Sequence, residues 1–225
     1  MNIKFNQFSL TTLLSGRTIV PKQVESNQLA ISPNDEDTLK IIASVSLNNY
    51  NDTYRTKIAV AAYVDGLSIF DEGVLLPKNN LTLFNTHGTK LVSSLGGSLE
   101  IKNWITKDGS NPELKFTTNG VSMIKNYVEG VDKTETNTIR VFVWKSLKPE
   151  MQATIKSFDT KGTRGMSMNA GMGAGEDTNQ KYSSTNFHNP IYLGMVTIFY
   201  NISEGLPKFN PDMFNDSIFR TIPKV

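Results

Sequence analysis

Short apolar runs broken by turn residues recur along most of this chain, and that rhythm constrains its fold more than any other feature. Leu39, Ile41, Ala43, Val45 and Leu47 alternate with Lys40, Ile42, Ser44 and Ser46, the period of two that sets one face of a strand against a core. The cluster Asn48-Asn49-Tyr50-Asn51-Asp52 then marks a turn. Residues 57–64 read as a second strand ending at Asp65-Gly66, a two-residue hairpin signal. Short strands are expected at 67–70, 74–76 and 81–84. Segments 91–95 and 98–105 flank the tight-turn pair Gly96-Gly97, and 114–118 and 121–128 flank Asn119-Gly120. Residues 138–144 carry Ile139, Val141 and Val143 on one face and Phe142 and Trp144 on the other. That pattern requires cover on both sides. Residues 182–187 and 191–202 complete the set, the last being the most hydrophobic run in the chain and expected to be a buried central strand. Helix signals are confined to 146–155, with Pro149 near a first turn, and 212–219.

About ten to twelve short strands, with turns every ~8–12 residues, predict an all-β antiparallel sandwich, jelly-roll-like or immunoglobulin-like, with at most short helices. The paired strands around Tyr63-Val64-Asp65-Gly66 and the connection Leu76-Pro77-Lys78-Asn79-Asn80 resemble the texture of immunoglobulin-like sandwiches over roughly 50 residues, without a diagnostic motif. The expected layout is an N-terminal arm at 1–37, a sandwich domain at 38–202 and a C-terminal tail at 203–225. Phe5 and Phe8 in the arm, and Phe209, Phe214 and Phe219 in the tail, are the expected contacts to neighbouring subunits.

Composition narrows function mostly by exclusion. The 225 residues include 23 basic and 21 acidic side chains, a net charge of +2. No clustered basic face of the kind that binds nucleic acid is visible. There is no cysteine, which removes disulfides, thiolate nucleophiles and cysteine-ligated zinc. No run approaches the roughly 18–20 apolar residues of a membrane span, and the N-terminus lacks the apolar core of a signal peptide. A soluble chain made in the cytoplasm is expected.

The chemical inventory is thin. The two histidines, His87 and His188, both sit in turn sequences and form no His-x-His or His-x-x-x-His pair. No nucleophile elbow or P-loop occurs. Asp65, Asp71 and Glu72 make a weak candidate cation loop, more simply read as a hairpin turn. Tyr50, Tyr54, Trp104 and Tyr182 could offer a sugar platform, although the strand neighbours of Trp104 and Trp144 favour core packing. No catalytic residue, metal ligand or cofactor is therefore assigned.

One segment departs from the strand rhythm. Residues 161–182 interleave Gly165, Gly171, Gly173 and Gly175 with Met166, Met168 and Met172. The segment is expected to be a loop inserted between strands. Methionine adapts to irregular apolar surfaces, and glycine lets backbones approach closely. Arg164, Gly165, Met166, Met168, Gly171, Met172, Gly173 and Gly175 are accordingly the candidate assembly-loop residues, against the simpler reading of a disordered loop. The functional expectation is a non-catalytic structural subunit of a protein assembly, such as a virion or phage-like particle. Its partners would be other copies of itself or other particle subunits. A carbohydrate-binding or adhesion module is the alternative, and a pore-forming β protein the third reading.

Overall fold

The computed structural model describes residues 2–5, 8–45, 57–93, 98–106, 108–117, 135, 137–146, 171–177 and 187–202. They form an all-β sandwich. In chain order its strands begin with β1 (Asn2–Phe5), β2 (Phe8–Leu14), β3 (Arg17–Thr18), β4 (Lys22–Glu25), β5 (Gln28–Ile31), β6 (Leu39–Val45) and β7 (Ile58–Val64). Then come β8 (Leu67–Ser68), β9 (Leu91–Val92), β10 (Ser98–Ile101), β11 (Pro112–Thr117), β12 (Thr138–Ser146), β13 (Gly171–Asp177) and β14 (Pro190–Tyr200). A five-stranded sheet runs β1-β2-β6-β10 with β3 on β2, and a seven-stranded sheet runs β4-β5-β14-β12-β7-β8 with β9 on β7. Strands β11 and β13 make a separate two-stranded ladder.

The core follows from the side-chain period. In β6, Leu39, Ile41, Ala43 and Val45 are buried while Lys40, Ile42 and Ser44 are partly exposed. On the seven-stranded side, Val60, Ala62, Val64, Ile139, Val141, Val143, Val196 and Ile198 join the same cluster as Leu10, Leu39 and Ile41. Each such valine, leucine or isoleucine, fully buried, contributes roughly 1.5–3 kcal/mol. Strands β7 and β12 are also buried on their other face. There Ala61, Tyr63, Phe142 and Trp144 form a second cluster, covered by Leu76, Leu81, Phe84, Phe187, Tyr192 and Met195. The two-faced pattern expected for residues 138–144 is thus what the fold uses.

Asp65-Gly66 closes the β7–β8 hairpin with Val64 opposite Leu67. Both turn residues have positive φ, 50° and 81°, the requirement of a type I′ turn. Among the described pairings only β14 with β5 is parallel, in register from Thr197↔Gln28 to Tyr200↔Ile31.

Several expectations change. The first 37 residues are divided between both sheets rather than set aside as an arm: β2 pairs with β6, and β5 pairs with β14. Phe8 is buried in its own chain's core, with its ring over Gly194. A β-carbon added at Gly194 would lie 3.0 Å from Phe8 Cε1, so glycine permits that closure. Phe5 ends β1.

Residues 81–84 are not a strand but a turn leading into a 3-10 turn at Phe84–Thr86. The reason is spacing. Leu81 and Phe84, three apart, cover the outer cluster, while Leu83 between them is 55% exposed. Strands β9 and β10, on either side of Gly96-Gly97, belong to different sheets and are not a hairpin pair. Strand β14 is buried only in its second half, from Val196 to Tyr200.

Described residues 171–177, part of the expected loop, form β13. The expected hairpin strand at 121–128, nearly all of both helix candidates, Arg164, Gly165, Met166 and Met168, and the whole tail with Phe209, Phe214 and Phe219 lie outside the described residues.

Candidate functional site

Strand β11 organises the most distinctive site in the molecule. Leu114 and Phe116 point into the core, while Glu113 and Lys115 are half-buried on the opposite face. One edge of the strand is committed to the rest of the sandwich. The Phe116 N–H donates to the Asp37 carbonyl at 2.9 Å, and the Glu36 N–H donates to the Phe116 carbonyl at 2.9 Å. Further along, the Leu114 N–H donates to the Lys102 carbonyl at 2.9 Å, and the Trp104 N–H donates to the Pro112 carbonyl at 2.8 Å. The other edge carries β13, antiparallel, with Leu114↔Ala174, Lys115↔Gly173, Phe116↔Met172 and Thr117↔Gly171 in register. Three of the seven β13 residues are glycine. Met172 is fully buried in the main core.

The floor of this site is a buried polar anchor. Tyr200, at the end of β14, lies against Phe116 with ring centroids 5.1 Å apart. Its hydroxyl donates to Asp65 Oδ2 at 2.6 Å and receives a hydrogen bond from the Met172 backbone N–H. The other carboxylate oxygen, Asp65 Oδ1, accepts from the Thr138 N–H at 3.0 Å, and the Asp65 N–H donates to the Thr138 carbonyl at 2.8 Å. One turn residue thereby ties together β7, β12, β14 and, through Tyr200, β13.

Burial pushes the Asp65 carboxyl up to about 7, against the lowering effect of hydrogen bonds from Tyr200, Thr138 and Asn137, and the nearby Glu135 charge adds to the rise. Burial, with the Asp65 charge second, also holds the Tyr200 phenol well above its ordinary value. Beside this anchor Glu135 forks onto Arg140, with Nε to Oε2 at 2.6 Å and Nη2 to Oε1 at 2.7 Å. The Thr138 hydroxyl caps the Glu135 carbonyl at 2.6 Å.

His87 occupies a different place, on the outer face of the seven-stranded sheet. It is 3% exposed, packed on Phe142 and Trp144. Its Nε2 donates to the Leu81 carbonyl at 2.8 Å, which leaves Nδ1 to accept from the Tyr63 hydroxyl at 3.0 Å. Burial lowers the imidazole's proton affinity, opposed by the Leu81 carbonyl and reinforced by the Lys90 charge. Lys90 holds the carbonyls of His87 and Gly88 at 2.8 and 2.6 Å and sits 4.4 Å from the centre of the Phe84 ring. A β-carbon at Gly88 would meet Asp71 Oδ2 at 2.8 Å, so a larger residue there would displace the Asp71 carboxylate. Both ring nitrogens of His87 are spent on holding this loop down. His188 is exposed.

The candidate cation loop is not assembled. Asp65 turns inward to Tyr200, while Asp71 accepts from the Thr89 N–H and hydroxyl at 3.2 and 3.1 Å. No three histidine, aspartate or glutamate side chains converge among the described residues. Trp104 is 2% exposed and part of the core rather than of a sugar platform. Tyr50, Tyr54 and Tyr182 lie outside the described residues. Of the candidate assembly residues, Gly171, Met172, Gly173 and Gly175 are brought together in β13. No helix among the described residues is long and apolar enough to cross a membrane.

An alternative docking edge, β4, is poorly suited. Its four residues are exposed, and among the described strands it pairs only with β5. Pro21 precedes it, Lys22 and Glu25 are its end residues, and its register shifts between Gln23 and Glu25. Shortness, proline, charge and a bulge are the devices that discourage edge-to-edge pairing.

The Asp65–Tyr200 anchor was not anticipated from sequence, although one signal for it exists. Tyr200 follows Val196 and Ile198 at strand spacing, so its ring must face inward, and a buried tyrosine hydroxyl needs a partner. No family model matches this chain, and comparison with curated proteins and with solved structures finds no significantly similar protein.

Proposed function

We propose that this chain is a non-catalytic structural subunit of a protein assembly, such as a virion or phage-like particle, whose partners are other copies of itself or other particle subunits. The observation that carries the reading is β13. A glycine-rich segment adds to one edge of β11 through backbone pairing and buries Met172 in the core. Backbone ladders give affinity and pocketed side chains give specificity when one chain recognises another by strand addition.

The buried titratable groups fit a structural role. Asp65 and His87 spend their polar atoms on tying strands and a loop in place. Sedimentation velocity and negative-stain microscopy of the full chain, over a range of concentrations, test the reading. A large regular particle or a defined oligomer is expected. A monodisperse monomer at every concentration overturns it.

A further inference from the structure

We propose that β13 is exchanged between copies of this chain, so that Gly171–Asp177 of one copy pairs with Pro112–Thr117 of another and seats its Met172 in that copy's core. The inference rests on the assembly reading above and specifies its joint.

Four observations carry it. First, β13 stands outside both main sheets, and β11 is its only partner among the described strands. Second, the receiving site is built without it. The far edge of β11 is bonded to residues 36–37 and 102–104, and the Tyr200 hydroxyl is fixed by Asp65. Third, β13 brings little of its own. Three of its seven residues are glycine, and glycine-rich strands have weakly specified pairing and are prone to alternate pairing and swapping. Fourth, the vacated site favours an identical occupant. Without β13, Phe116 loses its ladder partner Met172 and the Tyr200 hydroxyl loses the Met172 N–H, and the occupant with the same shape and backbone is the β13 of another copy.

Exchange replaces every contact with an identical one, so its cost lies in the connections rather than the joint. Nine residues separate Asp177 from Phe187 and 24 separate Ser146 from Gly171. At about 3.3–3.6 Å per residue the shorter connection spans at most roughly 30 Å, enough to reach an adjoining copy but not a distant one. A strand joined covalently to its own copy meets its own site at a higher local concentration than dilute neighbours offer. In dilute solution the chain therefore keeps its own β13, and exchange sets in where an assembly packs copies densely enough to compete.

The chain has no cysteine, so disulfide trapping reads the joint directly. Lys115 and Gly173 face each other across the ladder. A chain carrying both Lys115→Cys and Gly173→Cys is oxidised in dilute solution and, separately, in the sedimented assembly. Lys115 pairs with Glu36, which is 61% exposed, and an ion pair so open to solvent contributes little to stability. Thr117→Cys with Gly171→Cys is the second pair, for use if the first does not fold.

The expected result is an internal cross-link in the dilute monomer and covalently linked multimers in the sedimented fraction. Linked dimers should also form in mixed assemblies of the two single variants. Internal cross-links alone in the sedimented fraction overturn the exchange while leaving the assembly reading intact. A chain that never sediments and only cross-links internally overturns both.

Discussion

Strands β12 and β13 both run in antiparallel ladders, yet they are held by opposite means. β12 lies between β7 and β14, with ladder bonds on both edges, and buries Val141 and Val143 on one face and Phe142 and Trp144 on the other. Among the described residues β13 has one partner strand, and Met172 is the side chain it places in the core. Each fully buried large apolar side chain contributes roughly 1.5–3 kcal/mol, whereas glycine adds no side-chain burial and weakens a strand interior. The backbone ladder alone does not make a strand integral. What separates a permanent strand from a removable one is the number of faces and edges its side chains commit. β13 should therefore open without the rest of the sandwich, as a sub-global unit of low stability.

The largest expected effect lies on the β12 side. Trp144→Ala removes a side chain that is 1% exposed, together with its Nε1 bond to the Thr82 carbonyl. It should cost about 3–5 kcal/mol of global stability, read as a lower urea midpoint with unchanged slope. A loss below about 1 kcal/mol would remove the distinction between the two strands.

Next comes the pH dependence of the shared anchor. The folded chain raises the Asp65 carboxyl from its ordinary 3.8 to about 7. Between those values the folded state holds a proton that the unfolded chain has released. Stability therefore falls as pH rises through that window and levels off above it, by at most about 4 kcal/mol. Asp65→Asn keeps a residue that tolerates positive φ and should flatten this slope in thermal melts at pH 4 to 8. An unchanged slope would assign the dependence to another group.

Met172→Ala should cost about 2–3 kcal/mol, concentrated in β13. Amide protection at 171–177 should drop while that of 138–146 stays, and a uniform drop would make β13 part of the common core. Tyr200→Phe should cost about 1–2 kcal/mol, because Asp65 Oδ2 and the Met172 N–H lose their shared partner. It should also raise the Asp65 midpoint further, since the tyrosine hydrogen bond holds it down.

The same contrast explains what the sequence disclosed. β6, β7 and β12 were legible because burial alternates or saturates along them, and Asp65-Gly66 because a type I′ turn selects those residues. β13 was not, because alternating Gly171, Gly173 and Gly175 with Met172 and Ala174 leaves too little apolar side chain to mark a buried face. Its pairing is dictated by the exposed edge of β11. The place of the N-terminal strands is hidden for a related reason. Leu10, Leu14, Leu29 and Ile31 do face the core, but they are shared between two sheets, and single-strand periodicity does not say which sheet a strand joins. At 81–84 the apparent alternation hid an i, i+3 pair, Leu81 and Phe84, that selects a turn.

Native-state hydrogen exchange across low denaturant concentrations tests most directly whether β13 is separable from the sandwich. Amides of Gly171–Asp177 should exchange through a local opening nearly independent of denaturant and well below the global stability. Those of Val141 to Trp144 should exchange only through global unfolding. If the two sets share one free energy and one denaturant dependence, β13 is an integral strand and the separable-strand reading is contradicted.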